Sequence, residues 1–219
     1  MLFTNKPKSN LPVLILNREE IKITHEIKFL GVIYDSKMNF KSHISKLSLK
    51  LSRNNGMLYK VKKLAPTNVL RCLYYAHTYP HLQYCNPIWA TTYPTNLTNL
   101  VILQEKMVRL MTGSDYLAHT PPLFKDTNIL RLNDITFMYI ASHCYKERQT
   151  INMQANPLHN YPTRHHLQLL PPPHRLTIFE HSYTYQRCHI WNEIPDYIKS
   201  SSSFDMFKSK LKQYLLSKY

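Results

Sequence analysis

The stretch IKFLGVIYDSKMNFKSHISKLSLKLSRNNGMLYKVKKL, residues 27–64, changes its hydrophobic period in the middle. Its opening, residues 27–35, is a short apolar run of the kind that forms a strand, and Asp35 with Ser36 ends it in a turn. From Lys41 onward, Ile44, Leu47, Leu51, Leu58 and Val61 recur at spacings of three, four and seven. Those spacings put them on one face of an amphipathic helix that reaches to about Leu64. Lys46, Lys50, Arg53, Lys60, Lys62 and Lys63 fall mostly off that stripe, on the side that faces solvent. A β element thus hands over to a basic helix.

Upstream, residues 11–17 form an apolar run, and residues 18–27 alternate Ile21 and Ile23 with polar neighbours. With the run at 27–35 they predict three strands, a thin sheet behind a lead-in of ten residues rich in Lys, Asn and Pro. Downstream the period stays helical. Pro66 suits a first turn, and Leu70, Leu73, Tyr74 and His77 continue until Pro80 interrupts. Leu97, Leu100, Val101, Gln104, Met107, Val108 and Met111 mark the clearest helix, with Gly113 at its C-terminal stop and Lys106 and Arg109 on it. A further helix over about 133–146 is apolar around most of its circumference, as a core helix is. Residues 148–175 turn polar and Pro-rich and read as a linker or long loop with a short strand near 166–170. Behind it a short strand-to-helix unit ends at Pro195, and Phe204, Phe207, Leu211, Tyr214 and Leu215 form a last amphipathic helix behind a serine run. The expected fold is mostly α: a helical bundle over residues 36–147, a small β element over 1–35 before it, and a short α+β unit over 176–219.

The charge narrows the function. Across 219 residues, 28 Lys and Arg stand against 13 Asp and Glu, a net +15, which attracts polyanions at long range. Three glycines cannot build a Gly-rich phosphate loop. Sixteen tyrosines serve equally for stacking on bases or for a half-polar core. Cys72, Cys85, Cys144 and Cys188 form no C-x-x-C pair, so reduced thiols in an intracellular protein, nuclear or cytoplasmic, are expected. No stretch is long and apolar enough to span a membrane, and no membrane partner is expected.

Catalytic chemistry finds few footholds. Two-metal nucleotidyl transfer needs clustered carboxylates, and the aspartates here lie singly in turns or near helix starts. Glu19 and Glu20 are adjacent but sit at a hairpin turn. His77 and His81 have helical spacing with Pro80 between them, and His174, His181 and Cys188 are spaced by seven, a pattern that binds zinc only on one continuous helix. The residues by themselves describe a basic helical binding module with no catalytic centre of its own.

Five stretches in order add a family resemblance: IKFLGVIYDSKMNFKSHISKL, LYYAHTYPHLQYCNPIWA, LVILQEKMVRLMTG, HTPPLF with NILRLND, and WNEIPDYIKSSSSFDMFKSKLKQYLL. Together they resemble the C-terminal part of the reverse transcriptase of non-LTR, jockey-like retrotransposons, from about residue 11 to 217. The resemblance implies that Phe29, Leu30 and Gly31 correspond to the primer grip, and that residues 41–113 form the thumb, with a helical region after it. It implies nucleic-acid contacts at Lys46, Lys50, Arg53, Lys60, Lys62, Lys63, Lys106 and Arg109, and an RNA or RNA–DNA duplex as partner. The paired catalytic aspartates, their Mg and the fingers of such an enzyme would lie outside this chain, which is then expected to bind without polymerising. Two readings follow: a nucleic-acid-binding fragment of an RNA-directed DNA polymerase, or a domesticated or remnant module that binds protein.

Overall fold

The computed structural model describes residues 13–21, 23–148 and 168–219. The lead-in at 1–10 and most of the 148–175 linker therefore lie outside the described residues. The β element differs from the three-strand expectation. It is two separate antiparallel hairpins, β1 (Ile15–Leu16) with β2 (Glu19–Glu20), and β3 (Glu26–Phe29) with β4 (Val32–Asp35). The run read as one strand folds back on itself because Phe29 pairs with Val32, leaving Leu30 and Gly31 as a two-residue turn. Their φ angles of 45° and 81° are both left-handed, as a turn matched to strand twist demands. Glu19 and Glu20 are the strand β2 itself rather than a turn.

Asp35 then redirects the chain. Its carboxylate accepts the backbone N–H groups of Lys37, Asn39 and Phe40 at 3.0, 3.2 and 2.6 Å. Three otherwise orphaned donors are satisfied at the point where the strand becomes helix. Helix α1 (Lys41–Val61) buries Ile44, Leu47, Leu51 and Leu58, as its periodicity predicts. It lies along α5 (Pro94–Thr112), whose C-terminus is closed by Gly113 at φ 68°. Between them run α2 (Thr67–His77), α3 (Tyr79–Gln83) and α4 (Asn86–Trp89). Pro80 and Pro87 stand in the first turns of the last two, where a missing N–H costs nothing.

Helices α6 (Thr120–Asp126) and α7 (Leu132–Glu147) follow, and α7 is a core helix, with Leu132, Ile135, Ile140, Ala141, Cys144 and Tyr145 buried. After the undescribed stretch, residues Thr177–His181 form a 3₁₀ turn, where a short strand was expected. Ser182 caps α8 (Tyr183–Glu193), α9 (Asp196–Lys199) is one turn, and Ser203 caps α10 (Phe204–Ser217). The strand expected near 166–170 lies partly outside the described residues. In the part that is described, Leu169 is bracketed by the Asn192 side chain, which accepts its N–H and donates to its carbonyl, both at 2.9 Å. That amide does the work a neighbouring strand would do.

Two apolar clusters hold the helices together. The larger gathers Val32, Phe40 and Ile44 with Trp89, Leu100, Ile140, Trp191, Phe207 and Leu211, so α8 and α10 share it with α1. The smaller contains Leu58, Leu70, Tyr74, Met107, Val108, Met111, Phe124 and Ile129. Helices α1 and α5 run through both. The seam between them is polar: Gln104 donates to the Tyr74 hydroxyl and the Leu130 carbonyl and accepts from Leu132 N–H, all at 2.9 Å.

Candidate nucleic-acid interface

The second hairpin presents Phe29, Leu30 and Gly31 at its tip, beside the N-terminal end of α1. Phe29 and Leu30 are exposed, while Val32 and Ile33 on the facing strand are buried and anchor the hairpin. The Tyr84 hydroxyl donates to the Leu30 carbonyl at 2.7 Å. A Cβ on Gly31 would stand 3.4 Å from a Tyr84 ring carbon, so the ring closes over the turn. At the hairpin's base, Ser42 Oγ donates to Glu26 and Ile33 N–H points to His43 Nδ1. The three residues expected at a primer-grip-like turn thus form a rigid, apolar, exposed tip.

The cations expected on α1 separate into two groups. At about 100° per residue, Lys46, Lys50, Arg53 and Lys60 fall within an arc of about 80°, roughly 140° away from the buried row. All four are exposed, and none pairs with a carboxylate among the described residues. From Lys46 to Lys60 the row extends about 21 Å along the helix. Between Asp35 and Glu105 the sequence has no acidic residue at all, so nothing neutralises this face locally. His43 and His81 lie beside Lys50; burial, helped by the Lys50 charge, lowers the pKa of each imidazole. Asn54 ties this side of α1 to the end of α2, donating to the His77 carbonyl at 2.8 Å.

Lys62, Lys106 and Arg109 belong to a different surface. They line a groove of about 520 Å³ between α1 and α5, together with Tyr59 and Tyr116. Lys62 Nζ stands 4.9 Å from the centre of the Tyr59 ring, and Lys106 is exposed. Arg109 is already engaged: its Nε donates to the Ala118 carbonyl at 2.9 Å, and Nη2 lies 3.6 Å from Glu105. Lys63 is exposed just beyond the end of α1. Sequence periodicity could not separate these groups, because the groove exists only once α5 lies beside α1. Tyr59 and Tyr116 went unnoticed for the same reason. The acid-free run before Glu105 was legible and is the clearer signal.

The side chains that could hold a metal are scattered. His174 faces Glu180 at 3.2 Å, His181 Nδ1 meets the Thr91 carbonyl at 2.7 Å, and the Cys188 thiol points to the Thr184 carbonyl at 3.5 Å. Asp35 is occupied by backbone N–H groups, and Asp134 accepts from the Tyr219 hydroxyl. No three His, Cys, Asp or Glu side chains gather to hold an ion among the described residues. The paired carboxylates that two Mg ions need do not fit this set.

Neither a family model nor a solved structure matches the chain. Its sequence homologues are reverse transcriptases, RNA-directed DNA polymerases of non-LTR mobile elements. They come from jockey and the X-element. The chain is 28% identical over 136 residues to the RNA-directed DNA polymerase from mobile element jockey of Drosophila funebris, covering 60% of this chain and 15% of that protein. It is 26% identical over 138 residues to the probable RNA-directed DNA polymerase from transposon X-element of Drosophila melanogaster, with the same coverage of 60% and 15%. The jockey polymerase of Drosophila melanogaster is 24% identical over 163 residues, or 71% of this chain and 17% of that protein. The matches thus span 15–17% of the length of these relatives.

Proposed function

We propose that this chain binds an RNA or RNA–DNA duplex as the thumb-like part of a jockey-like reverse transcriptase, with α1 laid along the phosphates. The observation that carries the reading is the row of Lys46, Lys50, Arg53 and Lys60 on one exposed face of α1, with no carboxylate among them. A straight row of like charges on a rigid rod follows a phosphate backbone and contacts no base edge, so it holds a duplex without selecting sequence. The hairpin tip at Phe29, Leu30 and Gly31 continues this surface toward the end of the bound strand. The chain takes the role of grip and carries out no bond-making step, and Mg is held by the palm of such a polymerase. The exposed apolar residues of the two hairpins, among them Ile15, Leu16 and Ile27, are surface that a palm and fingers would cover.

The salt dependence of binding tests this. Each phosphate contact releases a counterion, so changing Lys46, Lys50, Arg53 and Lys60 together to Ala makes the fall of log K with log salt shallower by about 3.6 on the duplex rule of 0.9 per contact. Alanine is a better helix former than any of them, so α1 survives the change. A slope unaltered by the four substitutions would overturn the proposal. Absence of duplex binding at low salt would instead favour a protein-binding module, for which the exposed β1 and β3 side chains are the surface.

A further inference from the structure

The α1–α5 groove has features that duplex binding does not use. We propose that it holds one nucleotide of a single-stranded segment, with the base against Tyr59 and Tyr116 and the phosphate at Lys62 and Lys106. The inference rests on the reading of this chain as a nucleic-acid-binding unit and adds a second contact of a different kind.

The groove's volume of about 520 Å³ is within the usual range for a small-ligand pocket. Its two tyrosines are 62% and 72% exposed, and Leu103 and Leu110 add apolar lining. An exposed ring next to a cation is the arrangement by which proteins stack a base and hold its phosphate without reading sequence. Lys62 and Lys106 supply that charge and pair with no carboxylate among the described residues. Arg109 has another part. Through the Ala118 carbonyl it ties down the turn after Gly113 that carries Tyr116, so it is a positioning residue.

Two features of α1 shape the wall of the groove. Asn55 is 4% exposed and lines the groove; its Nδ2 donates to the Leu103 carbonyl at 3.0 Å, which fixes the amide's orientation. Its Oδ1 is then left buried without a partner, a rare condition for a polar atom. Next to it stands Gly56, in the interior of a helix where glycine is disfavoured. A Cβ there would meet nothing within 4 Å, so no packing against the chain itself requires glycine. What glycine does is keep the wall of the groove open.

The test uses the full chain and two labelled RNA–DNA duplexes, one blunt and one with a single-stranded overhang of about four nucleotides, the smaller end of known single-strand site sizes. The wild type should bind the overhang form about tenfold more tightly, the gain expected from one stacked base with its phosphate. Gly56→Leu fills the groove with a better helix former, and Tyr59→Leu removes the ring; both should abolish this gain and leave blunt-duplex binding unchanged. The variant with four alanines on α1 should lose blunt-duplex affinity and keep the overhang gain, which separates failure of this site from failure of the duplex reading. An equal gain in the wild type and Gly56→Leu, or no gain in the wild type, would overturn the proposal. Quenching of tyrosine fluorescence by AMP alone, saturating in the micromolar range, would overturn the strand-borne ligand in favour of a free nucleotide.

Discussion

Gly31 is required for two separate reasons, its φ of 81° and the Tyr84 ring 3.4 Å from where a Cβ would stand. Gly31→Val should destabilise the chain by about 1–2 kcal/mol, the price of a left-handed conformation for an L side chain, before any clash is counted. Urea denaturation measures it, and an unchanged midpoint would mean that the turn is not held this way. His43 and His81 give a prediction of the opposite kind, from pH. Burial, with Lys50 beside each, lowers both pKa values in the folded state. The unfolded chain therefore binds more protons below about pH 6.5, and the stability present above that pH is lost as pH falls. The thermal midpoint should drop between about pH 7.5 and about pH 5.5, and drop less when both histidines are Gln. A midpoint that rises over this interval would contradict the assignment.

At the scale of elements, Asp35 is the hinge of the fold, because its carboxylate alone satisfies Lys37, Asn39 and Phe40 N–H. Asp35→Ala should destabilise by about 2–3 kcal/mol, since three donors lose a charged acceptor at once. Asp35→Asn keeps one acceptor oxygen and should lose less; equal losses for the two variants would show that the loop, not the carboxylate, sets the turn. The sequence made this junction readable, since the hydrophobic period changes there. Helices α5 and α10 were readable as well, through Gly113 and the Ser203 cap. The exact turns of the hairpins were not. Their turns use Asn17–Arg18 and Leu30–Gly31 at positive φ, and neither pair is the Asn-Gly that announces such a turn. The 3₁₀ turn at Thr177–His181 places the β-branched Thr177 and Ile178 beside Phe179, residue types that favour strands, yet it packs against α8 as a turn. Of the candidate site, the cations were legible one by one. Their division between an open helix face and a groove was not, because it depends on how α5 lies against α1.

The whole molecule depends on the polar seam between its two apolar clusters. Helices α1 and α5 cross from one cluster to the other, α1 over about 31 Å, so neither cluster can melt without disturbing the other's helices. Gln104 sits at the crossing, 1% exposed, and its amide meets Tyr74, Leu130 and Leu132. Both tryptophans, Trp89 and Trp191, lie in the larger cluster, so their fluorescence reports that cluster while far-ultraviolet dichroism reports every helix. In the wild type the two signals should trace a single urea transition, the mark of one cooperative unit. Gln104→Leu leaves the Leu130 carbonyl and Leu132 N–H buried without partners, a loss of about 2–4 kcal/mol that falls on the seam. The smaller cluster, holding fewer buried side chains, should then open first, and the dichroism transition should precede the fluorescence transition. Coincident curves in this variant would mean that apolar packing along α1 and α5 couples the clusters without the amide. The α1–α5 groove beside the smaller cluster would then stay intact up to global unfolding.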